Sequence, residues 1–186
     1  MIRSVPGRTP RIHPGAYVDI GAQVIGDVAI DEGASIWPGA IVRGDQEAYI
    51  TVGRNSNVQD MTVLHVAPGV PCIVGDNVTI GHRAVVHACR VMNNCRIGIG
   101  AVVLDGAVIE EGAQVGAGAL VPPGKVVESG WLVMGVPARP VRRMTAAEQE
   151  DILRNAREYV ELWQRDYGLR PGFEYPPARV GLHATS

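Results

Sequence analysis

Residues 95–130 read CRIGIG-AVVLDG-AVIEEG-AQVGAG-ALVPPG-KVVESG, a run of hexapeptides with Val or Ile at the third place of each. The step of six continues back to Ile12, with three breaks, and on to Val133. Every position in this aliphatic series is Val, Ile or Leu. A period of six is typical of a parallel β-helix, in which each aliphatic side chain points inward and stacks on its equivalent one coil away. Small residues between them suit the corners, where positive φ is needed and bulk is not tolerated.

Three hexapeptides make one triangular coil, so the aliphatic series predicts an all-β solenoid of about seven coils over residues 11–140. A β-sandwich of short strands is the alternative. It would show alternation with period two and hairpin turns, and the sequence shows neither over any length. Residues 1–10 form a separate N-terminal segment in this interpretation.

Residues 135–140 break the hexapeptide repeat, and the residue pattern differs after them. Thr145 followed by Glu148 predicts a capping box, and hence a C-terminal α-helix over residues 144–168. One apolar stripe supports this helix, running through Leu153, Ala156, Val160, Trp163 and Tyr167. We expect the helix to cover an open solenoid face or a subunit seam. Residues 171–186 are rich in Pro and lack periodicity, which predicts a loosely ordered tail.

Composition excludes several classes of partner. The net charge is −2 without any basic run, so nucleic acid and anionic membrane surfaces are not expected partners. The sequence has no apolar run long enough to span a membrane, and its first ten residues lack an apolar signal core, which favours a cytoplasmic protein. Cys72, Cys89 and Cys95 are an odd number without a C-x-x-C pair, which favours small buried thiols over a disulfide or a thiolate metal site.

The three breaks in the repeat lie close to three histidines. Ten-residue steps insert loops at residues 43–50 and 65–73, and a five-residue step separates Val86 from Val91. Insertions in a solenoid form loops on one face, which is often the binding face. His65, His82 and His87 lie within or beside these breaks.

When the residues are counted by coils, two of these histidines fall at the same corner of the solenoid. Arg43, His65 and His87 each directly follow a member of the aliphatic series, and those members are three steps apart: Val42, Leu64 and Val86. The three polar residues should therefore stack outward on one corner, with a rise of about 4.8 Å per coil. That spacing would let both imidazoles bind one ion at about 2.0–2.1 Å.

His82 falls in another column, two residues after Ile80 and directly above Asp60. Its ring should lie on the order of 10–15 Å from that of His87, so one chain should not close a three-histidine site. A neighbour in a cyclic trimer could supply His82, giving one metal per subunit. Three imidazoles and an open position suit catalytic Zn²⁺, and imidazole also suits Fe²⁺. Solvated or interface histidines are the alternative.

At this point the sequence resembles the γ-class carbonic anhydrase family of hexapeptide-repeat proteins. The motifs that carry the resemblance are Arg43-Gly44-Asp45, Asn57-Val58-Gln59-Asp60, His65, Gly81-His82, His87 with Cys89, and Gly135-Val136-Pro137-Ala138. It covers roughly residues 10–168, and it implies a left-handed β-helix and a homotrimer with zinc or iron at each subunit interface. His65 and His87 would come from one subunit and His82 from the next.

The resemblance also implies a reaction, the reversible hydration of CO2 to bicarbonate by metal-bound hydroxide. Gln59 resembles the residue that hydrogen-bonds this hydroxide. Arg43, Asp45 and Asp60 resemble an interface salt-bridge set that also shapes an anion pocket, although a purely structural role in holding the trimer is equally open.

The sequence departs from the active members of that family in the loop that exports protons. Residues 65–73 form a short loop without a carboxylate, and Gln46 stands where those members have a second glutamate, with Glu47 adjacent. A general acid or base contributes roughly 10²–10⁴-fold, so we expect weak hydration or an alternative relay. Tyr159 on the terminal helix is a further candidate for the pocket.

Other functions remain open from the sequence. A hexapeptide acyltransferase or a thioesterase acting on acyl-CoA could share the repeat, and so could a non-enzymatic trimeric metal-binding scaffold. Acyltransferases of this kind generally use one catalytic histidine as a base and do not need a histidine-rich interface. A metal assay with acyl-CoA titration would separate an acyltransferase from a carbonic anhydrase, and replacement of His82 would separate a catalytic metal site from a scaffold.

Overall fold

The structure is a computed structural model that describes residues 1–167. Its strands form three sheets, and each sheet takes every third strand of the chain. Three consecutive strands therefore complete one triangular coil, and the strands that stack within each sheet are parallel apart from the last pair. The predicted solenoid of about seven coils is confirmed.

The first sheet contains β1 (Ile2–Arg3), β4 (Gln23–Gly26), β7 (Ile41–Gly44), β10 (Val63–His65), β13 (Val85–His87), β16 (Val102–Val103) and β19 (Leu120–Val121). The second contains β2 (Arg11–Ile12), β5 (Val28–Ile30), β8 (Ile50–Val52), β11 (Cys72–Val74), β14 (Arg90–Val91), β17 (Val108–Ile109) and β20 (Val126–Val127). The third contains β3 (Tyr17–Val18), β6 (Ser35–Ile36), β9 (Asn57–Val58), β12 (Thr79–Ile80), β15 (Arg96–Ile97), β18 (Gln114–Val115), β21 (Trp131–Met134) and β22 (Arg139–Arg143).

The aliphatic series forms the core of the solenoid. Leu64 pairs in register with Val42 on one side and Val86 on the other, and all three are 0% exposed. The rest of the series is also buried, except Ile12, which is half-buried at the first coil. Each full burial of such a side chain contributes about 1.5–3 kcal/mol, so this stack is the main stabilising element of the fold.

Both ends of the solenoid carry extra strands. β1 pairs with β4, so part of the predicted N-terminal segment extends the first sheet. At the other end β22 turns back antiparallel to β21, and the turn between them contains a cis Val136–Pro137 peptide bond.

Helix α1 (Ala146–Asp166) begins with the predicted capping box. The Thr145 hydroxyl accepts from the Glu148 backbone N–H, and the Glu148 carboxylate accepts from the Thr145 N–H. The buried face of the helix differs from the predicted stripe, because Ile152 is 0% exposed whereas Leu153 is half-buried. Ala156 and Trp163 are buried as predicted.

An aromatic cluster lies under this helix. Trp163 stacks on Tyr17 with ring centroids 6.0 Å apart, and Tyr17 meets the edge of Trp37 at 5.3 Å. Aliphatic side chains fill the interior of the solenoid, whereas aromatic side chains pack between α1 and the third sheet of the solenoid. The covered face of α1 therefore runs through Ile152, Ala156 and Trp163, while Val160 is half-buried and Tyr167 is exposed.

Three further expectations concern burial and the end of the chain. All three cysteines are free and buried, as predicted. Among residues 1–167, no helix is long and apolar enough to cross a membrane. The expected tail at residues 171–186 and the helix end near residue 168 lie outside the described part of the chain.

Candidate metal centre

Arg43, His65 and His87 form the predicted column at one corner. They end β7, β10 and β13, and the pairing places Arg43 beside His65 and His65 beside His87. Ile25 stands next in this column, beside Arg43, so the corner changes from aliphatic to polar within one coil. The stacking that the sequence predicts for this corner is confirmed.

The two histidines of the column face each other. Nδ1 of His65 lies 3.1 Å from Nε2 of His87, and the ring centroids are 5.1 Å apart. Burial lowers the pKa of His65, and the charges of Arg43 and His87 lower it further, against an opposing hydrogen bond from Asp45. His65 is therefore neutral at pH 7, which is the state of an imidazole that binds a metal.

A carboxylate holds the outer nitrogen of each of these rings. Nε2 of His65 lies 3.2 Å from Oδ1 of Asp45, and Nδ1 of His87 lies 2.5 Å from Oδ1 of Asp105. Carboxylates of this kind fix the tautomer and orientation of histidines that ligate metals. Asp45 was expected at the site, whereas Asp105 was missed, although it lies one coil beyond His87 and next to the column.

Asp45 also connects the histidines to Arg43. The Arg43 guanidinium donates to Oδ2 of Asp45 across 2.5 Å. Burial raises the pKa of Asp45, but hydrogen bonds and charge from Arg43 and His65 outweigh that effect and hold it below its usual value. Asp45 therefore remains a carboxylate at neutral pH.

His82 lies at a different corner with its own carboxylate. It follows β12 of the third sheet, and its Nδ1 lies 2.9 Å from Oδ2 of Asp60. The predicted stacking of His82 over Asp60 is therefore confirmed. Within residues 1–167 of one chain, no three His, Cys, Asp or Glu side chains are grouped so that they could hold a metal ion.

Gln59 begins a chain of buried hydrogen bonds that ends on the helix. Its amide nitrogen donates to Oδ1 of Asn57 at 3.0 Å, and Asn57 donates to the Thr79 hydroxyl at 3.1 Å. The Thr79 hydroxyl in turn donates to Oδ1 of Asn155 at 3.0 Å. With its nitrogen bound in this way, Gln59 is held in one orientation at the start of the His82 corner.

Tyr159 lies on the side of Asp60. Its ring packs edge-on against Trp37 at 5.2 Å. Burial raises the pKa of the Tyr159 phenol, and the charge of Asp60 raises it further. The predicted role of Tyr159 at the pocket stays a prediction.

The two inserted loops lie side by side. The Gly69 N–H donates to the Gln46 carbonyl at 3.2 Å, and the Cys72 N–H donates to the Tyr49 carbonyl at 3.1 Å. Glu47 is exposed in the first of these loops, at φ +54°. The second loop carries no carboxylate, and Asp45 in the first is bonded to Arg43 and His65, so Glu47 is the remaining acidic side chain of these loops.

Backbone strain also concentrates near the candidate residues. In the described chain, positive φ falls on Gly or Asn except at four places: Glu47, Met61, Arg83 and Ala88. Three of these directly follow Asp60, His82 and His87. Met61 and Arg83 stand where the neighbouring coils have Gly39 and Gly100. Such conformations cost of order 1–3 kcal/mol each and cluster at functional sites.

The corner that carries His82 is also apolar and open. Ile20 and Ile99 occupy its column in other coils and are 68% and 57% exposed, and Met61 beside Asp60 is 64% exposed. Exposed apolar side chains on both sides of Asp60 and His82 are a feature of interaction surfaces.

Comparisons with known proteins identify the family of the chain. The family described as "Bacterial transferase hexapeptide (six repeats)" matches residues 88–123. A "Probable carbonic anhydrase" of Methanocaldococcus jannaschii is 51% identical over 142 residues, which are 76% of this chain and 89% of that protein. "Gamma carbonic anhydrase 2, mitochondrial" of Arabidopsis thaliana is 40% identical over 88% of this chain and 60% of its own length. The chain belongs to the γ-class carbonic anhydrase family.

Solved structures similar to this γ-class family member include proteins with other descriptions. A putative acetyltransferase from Bacillus cereus is 38% identical, with a TM-score of 0.88 over 91% of this chain and 98% of that one. The solenoid is therefore shared by proteins named for different reactions, and the activity has to be argued from the site.

Proposed function

We propose that this protein is a metal-dependent carbonic anhydrase, a lyase that interconverts CO2 and bicarbonate. One observation carries the proposal. Two histidine nitrogens face each other 3.1 Å apart, and a carboxylate holds each ring from behind, in a chain 51% identical to a probable carbonic anhydrase.

The geometry of the histidine pair fits a metal ion. Two nitrogens bound to one tetrahedral ion at about 2.0–2.1 Å would be roughly 3.3 Å apart, close to the separation of His65 and His87. If Asp45 and Asp105 each accept a ring N–H, the two facing nitrogens present lone pairs to one another. Those lone pairs repel unless a cation lies between them.

The third ligand would come from another subunit. His82 is held by Asp60 as the other two histidines are held by Asp45 and Asp105, and it lies on the open apolar corner. A ring of three subunits closes a contact between two different surfaces, giving a homotrimer with one site per interface. We propose zinc as the metal, with Fe²⁺ as the alternative, since imidazole suits both.

The chain's own residues would hold the substrate and product. A metal of this kind supplies a nucleophile at neutral pH by lowering the pKa of a bound water. Gln59, fixed through Asn57, would orient a hydrogen bond toward the reacting oxygen. Arg43, with a 39% exposed side chain, keeps donors free for the bicarbonate anion while Asp45 fixes its position.

Proton export would be the weak part of the reaction. The loop at residues 65–73 has no carboxylate, and the exposed Glu47 in the neighbouring loop is the remaining acidic candidate. We therefore propose slow hydration, since a missing general acid or base costs roughly 10²–10⁴-fold. The free, buried thiols agree with the reducing cytoplasm as the compartment.

Metal analysis of anaerobically purified protein, paired with a stopped-flow assay of CO2 hydration, tests the proposal. We expect about one metal per subunit and activity that is lost in His82→Ala. His13→Ala is the matched control, because His13 is exposed and its Nδ1 accepts from the nearby Gly15 N–H. A metal-replete preparation without an ion at these histidines would refute the proposal.

Acyl transfer is the second candidate, favoured by the description of the Bacillus cereus structure. An acyltransferase would bind acyl-CoA and keep its activity without metal, whereas three histidines each held by a carboxylate indicate metal binding. A metal-dependent thioesterase would share the metal and would release free thiol from acyl-CoA. Titration with acetyl-CoA, followed by release of free thiol, distinguishes both from a carbonic anhydrase. A scaffold without enzyme activity would bind metal and assemble but would not hydrate CO2.

A further inference from the structure

Asp105 makes the shortest contact of any carboxylate with the three candidate ligands. Its Oδ1 lies 2.5 Å from Nδ1 of His87, against 3.2 Å for Asp45 with His65 and 2.9 Å for Asp60 with His82. We infer that Asp105 is a positioning residue that sets the orientation and tautomer of His87. The inference rests on the proposed metal site.

The backbone around Asp105 is fixed by the solenoid. The Asp105 carbonyl accepts from the Gly124 N–H at 2.8 Å, and the next residue, Gly106, donates to the Ala88 carbonyl at 2.7 Å. Leu104 donates to Val121 in the same ladder. The carboxylate therefore extends from a rigid corner, one coil from the ring that it holds.

The Asp105 carboxylate is not shared between two partners. In the part of the chain that the structure describes, its side chain has no hydrogen bond or ion pair other than the one to His87. Asp45 differs, because it divides its two oxygens between His65 and Arg43. An undivided carboxylate gives the stronger hold on an imidazole N–H and makes the opposite nitrogen a better donor to a metal.

The orientation of the ring follows from this contact. With the proton on Nδ1 held by Asp105, the lone pair of His87 lies on Nε2, the atom that faces His65. A half-turn of the ring would present a carbon to His65 and would give up the hydrogen bond to Asp105. Removing the carboxylate should therefore allow both ring orientations and both tautomers.

Two measurements on Asp105→Ala test this role. Nitrogen-15 NMR of the metal-free protein should show His87 shifting from one tautomer to a mixture. Competition against a chelator should show zinc affinity falling roughly 10–100-fold, as for other groups that orient metal ligands. Asp105→Asn should recover most of the affinity, because its amide oxygen can still accept the Nδ1 proton. The unfolding midpoint should stay close to wild type.

Asp27→Ala is the matched control for charge, because the Asp27 carboxylate pairs with Arg11, and the backbone bond of Asp27 to Gly44 is kept in the variant. Unchanged zinc affinity and an unchanged tautomer in Asp105→Ala would overturn the inference. An equal fall in affinity in Asp27→Ala would also overturn it, since the effect would then be one of net charge. Wild-type protein that fails to bind zinc would refute the proposed function, and the tautomer measurement would still decide the role of Asp105.

Discussion

Two variants that each fail to bind metal as homotrimers should bind metal when both are present in one trimer. One variant carries His82→Ala, and the other carries His65→Ala together with His87→Ala. In the proposed ring, each interface joins the His65 and His87 pair of one subunit to His82 of the next. An interface is then complete wherever the first variant supplies the pair and the second supplies His82.

The expected yield follows from this geometry. In mixed trimers isolated by both tags one interface in three has the required order, so metal should rise from near zero to about 0.33 per subunit. A trimer that contains both variants has one such interface and never more. Hydration activity should recover in the same proportion, because each restored site is complete.

The assay is co-expression with two different tags, tandem purification of mixed trimers, and metal analysis. Mixing the two purified homotrimers without subunit exchange is the control, and it should restore nothing. If the purified mixed trimers also stay empty, the three ligands do not come from two subunits. Metal bound by either variant alone would equally refute the reasoning.

Three further predictions concern stability. Leu64→Ala should lower the free energy of unfolding by about 2–5 kcal/mol in a denaturant titration, because Leu64 is 0% exposed in the stack next to His65. Arg83→Gly should raise the free energy of unfolding by about 0.5–1 kcal/mol, since left-handed backbone costs about 1–2 kcal/mol and the added chain freedom of Gly returns part of it; a loss of stability would contradict this. Hydrogen bonds from Arg142 and Thr145 lower the pKa of Glu148 from 4.5 to about 2. The stabilisation from this contact is therefore complete above pH 4.5 and lost as pH falls towards 2. In Glu148→Gln, the melting temperature measured against pH should no longer show the fall that this contact causes below pH 4.5.

The solenoid and much of its site could be predicted because the repeat has a fixed length of six residues. An aliphatic side chain must enter the core once in every hexapeptide, so the register of Leu64 on Val86 follows from spacing alone. The same counting placed His65 beside His87 and His82 beside Asp60. These are relations between neighbouring coils, and they do not depend on how far apart the residues are in sequence.

Features that depend on side-chain direction or on packing between elements could not be counted in this way. Asp105 lies at a corner, where the backbone turns and the alternation of inward and outward positions no longer holds. Ile152 and Leu153 are both apolar, and the aromatic rings beneath the helix determine which of them is buried. The pairing of β1 with β4 was hidden because Ile2 and Arg3 fall outside the repeat.

The corner column of Ile25, Arg43, His65 and His87 also bears on how such a protein can change in length. Arg43, His65 and His87 occupy neighbouring coils of that column, so whole coils could be gained or lost at either end without moving the histidines. A deletion from the strands between Arg43 and His87, outside the two inserted loops, that is not a whole coil would instead turn one histidine to another side of the triangle. Among natural relatives, the number of coils should therefore vary at the ends of the solenoid and stay constant between Arg43 and His87.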